Sequence, residues 1–212
     1  SLRLRALDRW IALWALPQMF AGVGQQGAVD AWYQVLSDVE VMNLEETQFC
    51  GGTADIHKFF DQILRGLVYK LAALAGMPPK ILDAYSRFLE GLKVYNSLAG
   101  GIGHAYTRAC GIPQGCPFSM AMVALIMRSW VRLMIMMGVM PRVLADDVLI
   151  IAEGECMLGK YAKALNATHD YLQDLGAKIA PSKSFNFAST TQARAWLGAT
   201  LWPVIGTCIE VC

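Results

Sequence analysis

The stretch Leu144-Ala145-Asp146-Asp147 places two adjacent carboxylates between two apolar runs, residues 141–145 and 148–152. An apolar, β-branched run interrupted by two acids predicts a strand–turn–strand hairpin with the acids at its tip. Acids are rare inside apolar strands unless a partner offsets their charge, and a divalent cation such as Mg²⁺ is a suitable partner. The alternative is an ordinary surface turn between two buried strands, so the rest of the chain must decide.

Composition predicts a domain with a large core. The chain has 212 residues, of which 55% are hydrophobic and 17% charged, against an average near ~25% charged. The formal net charge of +1 does not indicate nucleic acid. Residues 1–57 carry three Lys or Arg against seven Asp or Glu, whereas residues 58–212 carry fifteen against ten. A nucleic-acid partner should therefore meet the second part of the chain.

The six cysteines form no C-x-x-C pair and no zinc-type Cys/His cluster. This pattern is typical of reduced thiols and predicts an intracellular protein, in the cytoplasm or the nucleus. The first residue is Ser1 rather than Met, and no signal-peptide pattern opens the chain. Both ends are interpreted as cuts in a longer polypeptide.

The N-terminal part is predicted to be mostly helical. Residues 1–20 form an amphipathic pattern that stops before Pro17, with Leu7, Trp10, Ile11 and Trp14 on one face. A glycine-rich loop at residues 21–28 follows, and a second helix is predicted from about Val29 to Glu40. The first helix is expected to pack against the core.

A third acid is predicted to follow a strand. The run from Gln48 indicates a strand that ends at Asp55, and apolar residues at helical spacing predict a helix from Phe60 to Leu74. A strand holds its last side chain firmly, and the following helix start favours a negative charge. The alternative is that Asp55 only caps this helix.

A rigid loop is predicted near the middle of the chain. Residues 91–112 indicate a hairpin that carries Lys93 and Arg108. Two Gly and two Pro within the stretch Gly111–Pro117 then fix a tight loop that displays the neutral amide of Gln114. Such an amide can donate and accept, so it suits contact with a base or sugar without reading its identity.

Residues 118–140 are apolar enough to suggest a membrane span. Arg128 and Arg132 stand near the middle of this stretch, where each would cost about 2.5–3.5 kcal/mol in lipid. A buried helix with a basic stripe is therefore favoured over a membrane-associated helical protein.

The last part of the chain is predicted to alternate helix and strand. Apolar spacing indicates a helix from about Leu158 to Leu175, and residues 177–187 indicate a strand, a turn holding Lys183, and a strand. A final hairpin is predicted to begin at residues 194–201.

In this order, the motifs resemble the palm of a reverse transcriptase, with the closest likeness to the non-LTR retrotransposon and group II intron branch. The stretch 55–61 resembles motif A, 111–119 resembles motif B, and 144–147 resembles motif C. Lys183 matches the motif D lysine, and Trp196, Leu197 and Gly198 match the primer grip.

The resemblance implies an RNA-directed DNA polymerase that joins a dNTP to the 3′-hydroxyl of a DNA primer on an RNA template. It implies two Mg²⁺ ions, or Mn²⁺, held by Asp55, Ile56, Asp146 and Asp147, with the three acids catalytic. Phe60 would be the gate that rejects the ribose 2′-hydroxyl. Gln114, with Gly115, would touch the incoming nucleotide, and Lys183 would stabilise the triphosphate or donate a proton. Phe60 and Lys183 also have simpler interpretations, core packing and solvation.

Three departures from the family pattern leave a second hypothesis open. Leu144 stands where the family usually has Tyr or Phe, and no Lys or Arg occurs between Arg9 and Lys58 to meet a triphosphate. The chain is also expected to lack the thumb and the other domains of a retroelement polyprotein. The second hypothesis is a weak or inactive relative that only binds nucleic acid or protein.

The expected fold is α+β: an antiparallel palm sheet of three or four strands backed by helices, with a partial fingers lobe. The partial fingers would cover residues 1–47 and the palm residues 48–193, with a fingers-like hairpin at 91–112. Residues 194–212 would form the primer-grip hairpin at the start of the missing thumb.

Overall fold

The computed structural model describes residues 5–212, so the first four residues of the predicted N-terminal helix lie outside it. The described part contains eight α-helices, at Asp8–Ala12 (α1), Ala28–Leu44 (α2), Phe59–Gln62 (α3), Arg65–Leu74 (α4), Pro79–Glu90 (α5), Pro117–Met136 (α6), Met157–Asp174 (α7) and Thr191–Ala199 (α8). Its strands are Phe49–Asp55 (β1), Lys93–Val94 (β2), Ser97–Leu98 (β3), Gly101–Ile102 (β4), Tyr106–Thr107 (β5), Met140–Leu144 (β6), Asp147–Glu153 (β7), Phe185–Ala188 (β8) and Glu210–Val211 (β9).

The main sheet has the strand order β6-β7-β1-β8-β9 among the described residues. All neighbours are antiparallel except β8 and β9. The chain reaches β9 by a crossover through α8, and a crossover of this kind brings the next strand back in the parallel direction. The expected α+β architecture is confirmed, and the sheet has five strands rather than three or four because Glu210–Val211 joins its edge.

One face of the sheet packs on helix α6, which is buried along most of its length. The expectation of a core helix at residues 118–140 is confirmed, and Arg128 donates from Nε to the carbonyl of Trp14 at 2.8 Å. In the described part of the chain, α6 alone has the length and hydropathy of a membrane span. However, 61% of the most apolar 18 residues of this helix are buried inside the protein, as expected for a core helix.

The opposite face of the sheet is partly covered by α2. Met42 and the half-buried Val35 and Val39 pack on a small cluster formed by Phe49 and Ile151. At the sheet edge, the carboxylate of Asp38 on α2 accepts a hydrogen bond from Arg142 on β6. The predicted helix from about Val29 is confirmed, and it extends to Leu44.

The amphipathic pattern of the N-terminal segment is also confirmed where the structure describes it. Leu7, Trp10, Ile11 and Trp14 are all buried. The regular helix is short, Asp8–Ala12, because the chain turns before Pro17.

Residues 93–107 form two short nested strand pairs. β2 pairs with β5, and β3 pairs with β4 around the turn at Ala99 and Gly100. The predicted hairpin in this region is confirmed, and its residues 95–109 are exposed.

Three predictions of local structure were wrong. The strand expected before Lys183 is reduced to an isolated bridge of Ile179 with Ile56. The expected helix from Phe60 to Leu74 is broken, because Ile63 and Leu64 adopt extended backbone between α3 and α4.

The expected hairpin at residues 194–201 is instead the helix α8. Thr190 caps this helix by accepting from the N–H of Ala193, and the buried Ala193 and Leu197 lie four apart on its inner face.

Candidate active site

Two of the predicted catalytic acids face each other across neighbouring strands. Asp55 is the last residue of β1 and Asp147 the first residue of β7, and they are paired in the antiparallel register. Directly opposed residues in such a ladder have Cα atoms about 4.5–5.5 Å apart. The two carboxylates therefore share the edge of the sheet at which strand β1 ends and strand β7 begins.

Asp146 lies in the turn that leads into β7. Leu144 pairs with Asp147, so Ala145 and Asp146 form a two-residue hairpin loop. Ala145 has a φ of 58°, in the left-handed region where an alanine is strained. The predicted strand–turn–strand hairpin is confirmed, with Asp146 at its tip and Asp147 one residue later, at the start of β7.

The acids create an unfavourable concentration of negative charge. Partial burial, followed by the charges of Asp146 and Asp55, raises the pKa of Asp147, and Lys183 acts in the opposite direction. Lys183 lies in the short 3-10 helix Pro181–Lys183, and its Nζ is 3.7 Å from Oδ2 of Asp55. The predicted turn at Lys183 is confirmed, and this turn brings an ammonium group to the acids.

The backbone beside Asp55 is fixed by the same segment. The N–H of Asp55 donates to Oγ of Ser184 at 3.4 Å, and the N–H of Ala180 donates to the carbonyl of Asp55 at 2.9 Å. Ile56 is buried and forms an isolated bridge with Ile179. The segment around Lys183 therefore holds the end of β1 on its far side from β7.

A cavity of about 540 Å³ opens beside these residues, between α2 and the sheet. Asp147 and Lys183 line one side of it, whereas Trp32 of α2 and Phe185 of β8 belong to its mostly apolar walls. Asp147 therefore borders a space that can receive part of a larger molecule.

The loop predicted to meet a nucleotide is docked on the segment that follows Asp55. The N–H of Ile112 donates to the carbonyl of Phe60 at 2.8 Å, and the N–H of Gly111 donates to the carbonyl of Ile63 at 2.8 Å. Gln114 and Gly115 are exposed beyond this contact. The side chain of Phe60 is only 7% exposed and belongs to the hydrophobic core.

The residues matched to a primer grip lie on a helix and not in a hairpin. Trp196, Leu197 and Gly198 are on α8, where Leu197 is fully buried and Trp196 is 40% exposed. The ring of Trp196 meets that of Trp202 edge-on, with centroids 6.4 Å apart. The hairpin geometry expected for these three residues is therefore replaced by a helix that packs beside β8.

The sequence of the chain matches the family model described as "Reverse transcriptase (RNA-dependent DNA polymerase)" over residues 4–201. That match covers nearly the whole chain. The chain belongs to the reverse transcriptase family. No curated protein sequence matches it significantly.

Solved telomerase structures share the fold of this reverse transcriptase domain. Apo telomerase from Candida tropicalis, truncated from the C-terminal domain, superposes with a TM-score of 0.64 at 14% identity, over 94% of this chain and 40% of that one. Telomerase from Candida albicans with the TWJ fragment of telomeric RNA superposes with a TM-score of 0.61 at 13% identity, over 90% of this chain and 33% of that one. The domain thus spans two fifths or less of the length of these telomerase chains.

The family implies divalent cations at the acids. The carboxylate oxygens of Asp55, Asp146 and Asp147 are chemically suitable ligands for such cations. Carboxylate oxygens are the ligands that Mg²⁺ prefers. Burial first, and then the charges of Asp146 and Asp55, raise the pKa of Asp147, and a bound cation would oppose both effects. Within residues 5–212, however, no three His, Cys, Asp or Glu side chains are already gathered as a metal site.

Sequence reasoning missed two residues that organise this site. Ser184, beside the predicted Lys183, donates to the carbonyl of Ala180 and accepts from Asp55. Arg65 is 5% exposed and donates to the carbonyls of Gly111 and Leu89. Nothing in the local pattern predicts a buried arginine there, because its two acceptors are backbone atoms far along the chain.

Proposed function

We propose that the chain is the catalytic palm of an RNA-directed DNA polymerase encoded by a retroelement of the non-LTR or group II intron type. The observation that carries the proposal is the pairing of Asp55 with Asp147 across β1 and β7, with Asp146 in the adjoining turn. Three acids from two distant segments share one edge of a sheet, although their charges repel. Such an arrangement is costly without a cationic partner and is typical of a phosphoryl-transfer site.

In the proposed reaction, the primer 3′-hydroxyl attacks the α-phosphorus of a dNTP and pyrophosphate leaves. When bound, two Mg²⁺ ions would lower the pKa of that hydroxyl and neutralise the charge on the triphosphate. Asp55, Asp146 and Asp147 would hold the ions, with the carbonyl of Ile56 as a further ligand. Lys183 would place its ammonium beside the same edge of the sheet and offset negative charge as pyrophosphate forms.

The nucleotide subsite would lie between the segment after Asp55 and the loop Gly111–Ser119. Gln114 and Gly115 are exposed at this loop and would contact the incoming nucleotide. Phe60 is packed in the core and is only 7% exposed, so a gate role would depend on the small part of the side chain that stays accessible. The cavity beside Asp147 would receive the primer terminus, against Leu144 rather than the usual aromatic residue.

Primer extension tests the proposal directly. The purified chain would be given a DNA primer on an RNA template, dNTPs and Mg²⁺. We expect extension by the wild type, none by Asp146→Asn, and normal extension by the matched control Asp174→Asn, which changes an exposed acid at the end of α7. Equal extension by Asp146→Asn and the wild type would refute the catalytic assignment.

The second candidate is a domain that binds nucleic acid or protein without catalysis. It is favoured by the lack of Lys and Arg between Arg9 and Lys58, which leaves residues 10–57 without cations for a triphosphate. The telomerase of C. tropicalis solved with the TWJ fragment of telomeric RNA shares this fold at 12% identity, which supports RNA as the ligand to test. Gel-shift binding of the primer–template without extension in Mg²⁺ or Mn²⁺ would select this second function.

A further inference from the structure

The start of the loop Gly111–Ser119 is held against the segment 60–63 by backbone contact. Ile112 and Gly111 donate to the carbonyls of Phe60 and Ile63, both at 2.8 Å. Gly111 has a φ of +84°, and a Cβ at this position would lie 2.9 Å from the carbonyl oxygen of Asp61. The two segments therefore approach more closely than a side chain at Gly111 would allow.

The side chain of Arg65 links this contact to helix α5. Its Nε donates to the carbonyl of Gly111 at 2.8 Å, and its Nη1 donates to the carbonyl of Leu89 at 2.8 Å. Nη1 is also 3.8 Å from a carboxylate oxygen of Glu90, whose side chain is 60% exposed. One buried guanidinium thus joins the start of α4, the end of α5 and the first residue of the loop.

The positive charge of the buried Arg65 side chain is offset by groups at the end of α5. The carbonyl of Leu89 belongs to the last turn of α5, where a cation is favourable, and Glu90 supplies an opposite charge. A planar guanidinium can direct two N–H groups to two separate carbonyls, whereas a lysine ammonium on a flexible stem cannot reproduce that fork. The geometry therefore requires arginine and not simply a positive charge.

We infer that Arg65 is a positioning residue for the nucleotide subsite. It fixes the loop that displays Gln114 and Gly115 relative to the segment that carries Asp55 and Phe60. Arg65 is not among the residues that line the cavity beside Asp147, and its contact with the loop is the hydrogen bond to the carbonyl of Gly111. The inference rests on the proposed function, since it assigns the loop to the incoming nucleotide.

The first test measures the loop itself and needs no catalysis. Amide hydrogen exchange at Gly111 and Ile112 would be compared in the wild type, Arg65→Lys and the matched control Arg87→Lys. Arg87 is an exposed arginine on α5 that pairs with Asp83 four residues earlier. We expect exchange at these two amides to be at least tenfold faster in Arg65→Lys and unchanged in Arg87→Lys, with exchange in β1 and β7 unchanged in both.

The second test separates positioning from a purely structural role. In primer extension, Arg65→Lys should raise the KM for dNTP about tenfold and change kcat less than threefold, because a displaced loop weakens nucleotide placement. Arg65→Gln, which keeps donors but loses the charge and the fork, should behave like Arg65→Lys.

Three results would overturn the inference. These are unchanged exchange at Gly111 and Ile112 in Arg65→Lys, an unchanged KM in an active Arg65→Lys enzyme, and unfolding of both Arg65 variants, which would make Arg65 a folding residue only. Lack of extension by the wild type would instead count against the proposed function, and the exchange comparison would still decide whether Arg65 holds the loop.

Discussion

Nζ of Lys183 lies 3.7 Å from Oδ2 of Asp55, at the edge of the sheet where β1 ends. The ammonium is 70% exposed and the carboxylate 24% exposed, so the pair faces solvent beside the acids and is not part of the core. An exposed pair of this kind contributes little to folding. Its value is therefore expected in the charge balance of the site.

Replacement of Lys183 by Met tests that expectation. We expect the melting temperature to change by less than about 3 °C, since an exposed ion pair is worth roughly 0–1 kcal/mol. Nucleotidyl transfer should fall at least about a hundredfold, the lower end of the roughly 10²–10⁴-fold range of a general acid. The control is Lys178→Met, an exposed lysine nearby that has no ion pair within the described part of the chain. Full activity of Lys183→Met would remove Lys183 from the site.

The raised pKa of Asp147 predicts a pH-dependent cost to folding. A carboxyl whose folded pKa exceeds its unfolded value stabilises the protein below the unfolded pKa, and that contribution is lost as the pH rises through the folded pKa. Without divalent cations, Asp147→Asn should therefore melt higher than the wild type at pH 7, and the difference should shrink toward pH 4. Thermal melts across this pH range, with Asp174→Asn as control, measure the difference.

The same pair of proteins tests cation binding. Added Mg²⁺ should raise the melting temperature of the wild type, because a ligand that binds only the folded state stabilises it by mass action. Asp147→Asn should respond much less, since it loses one of the acids. Removal of Mg²⁺ with EDTA should reverse the effect. Equal responses from both proteins would place the cation elsewhere.

Local patterns predicted the elements around the acids because those signals are strong and short in range. The apolar runs on both sides of Asp146 and Asp147 strongly favour a hairpin. In β7, side chains alternate between the two faces of the sheet, and Val148 and Ile150 lie in the core. The convergence of Asp55 with Asp146 and Asp147 was predicted only through the family resemblance, and the strand register of Asp55 with Asp147 was not predicted. No local pattern specifies which strands become neighbours, since residues almost a hundred positions apart must meet.

The errors have physical causes of the same kind. The apolar spacing from Phe60 to Leu74 fits a helix, but Ile63 must become extended for its carbonyl to accept from Gly111. The role of Arg65 was not predicted for the same reason, because its partners are backbone carbonyls that tertiary packing brings together. In both cases a long-range contact overrides the local preference.

The strained backbone at Ala145 leads to a stability prediction. Ala145 has a φ of 58° in the two-residue loop, and a left-handed alanine costs about 1–2 kcal/mol more than glycine in the same conformation. Glycine also loses more entropy on folding, so Ala145→Gly should stabilise the protein by a net ~0.5–1 kcal/mol. Urea unfolding measures the change. Ala105→Gly, in an exposed loop with ordinary backbone, should instead be neutral or slightly destabilising.

The helix at residues 191–199 can be tested through its first residue. Oγ1 of Thr190 accepts a hydrogen bond from the N–H of Ala193 at 3.2 Å, so Thr190→Ala should cost about 1 kcal/mol of unfolding free energy. Thr190→Ser keeps the oxygen and should stay within about 0.5 kcal/mol of the wild type. A hairpin at this position would make the two substitutions equivalent, because no helix start would need a cap.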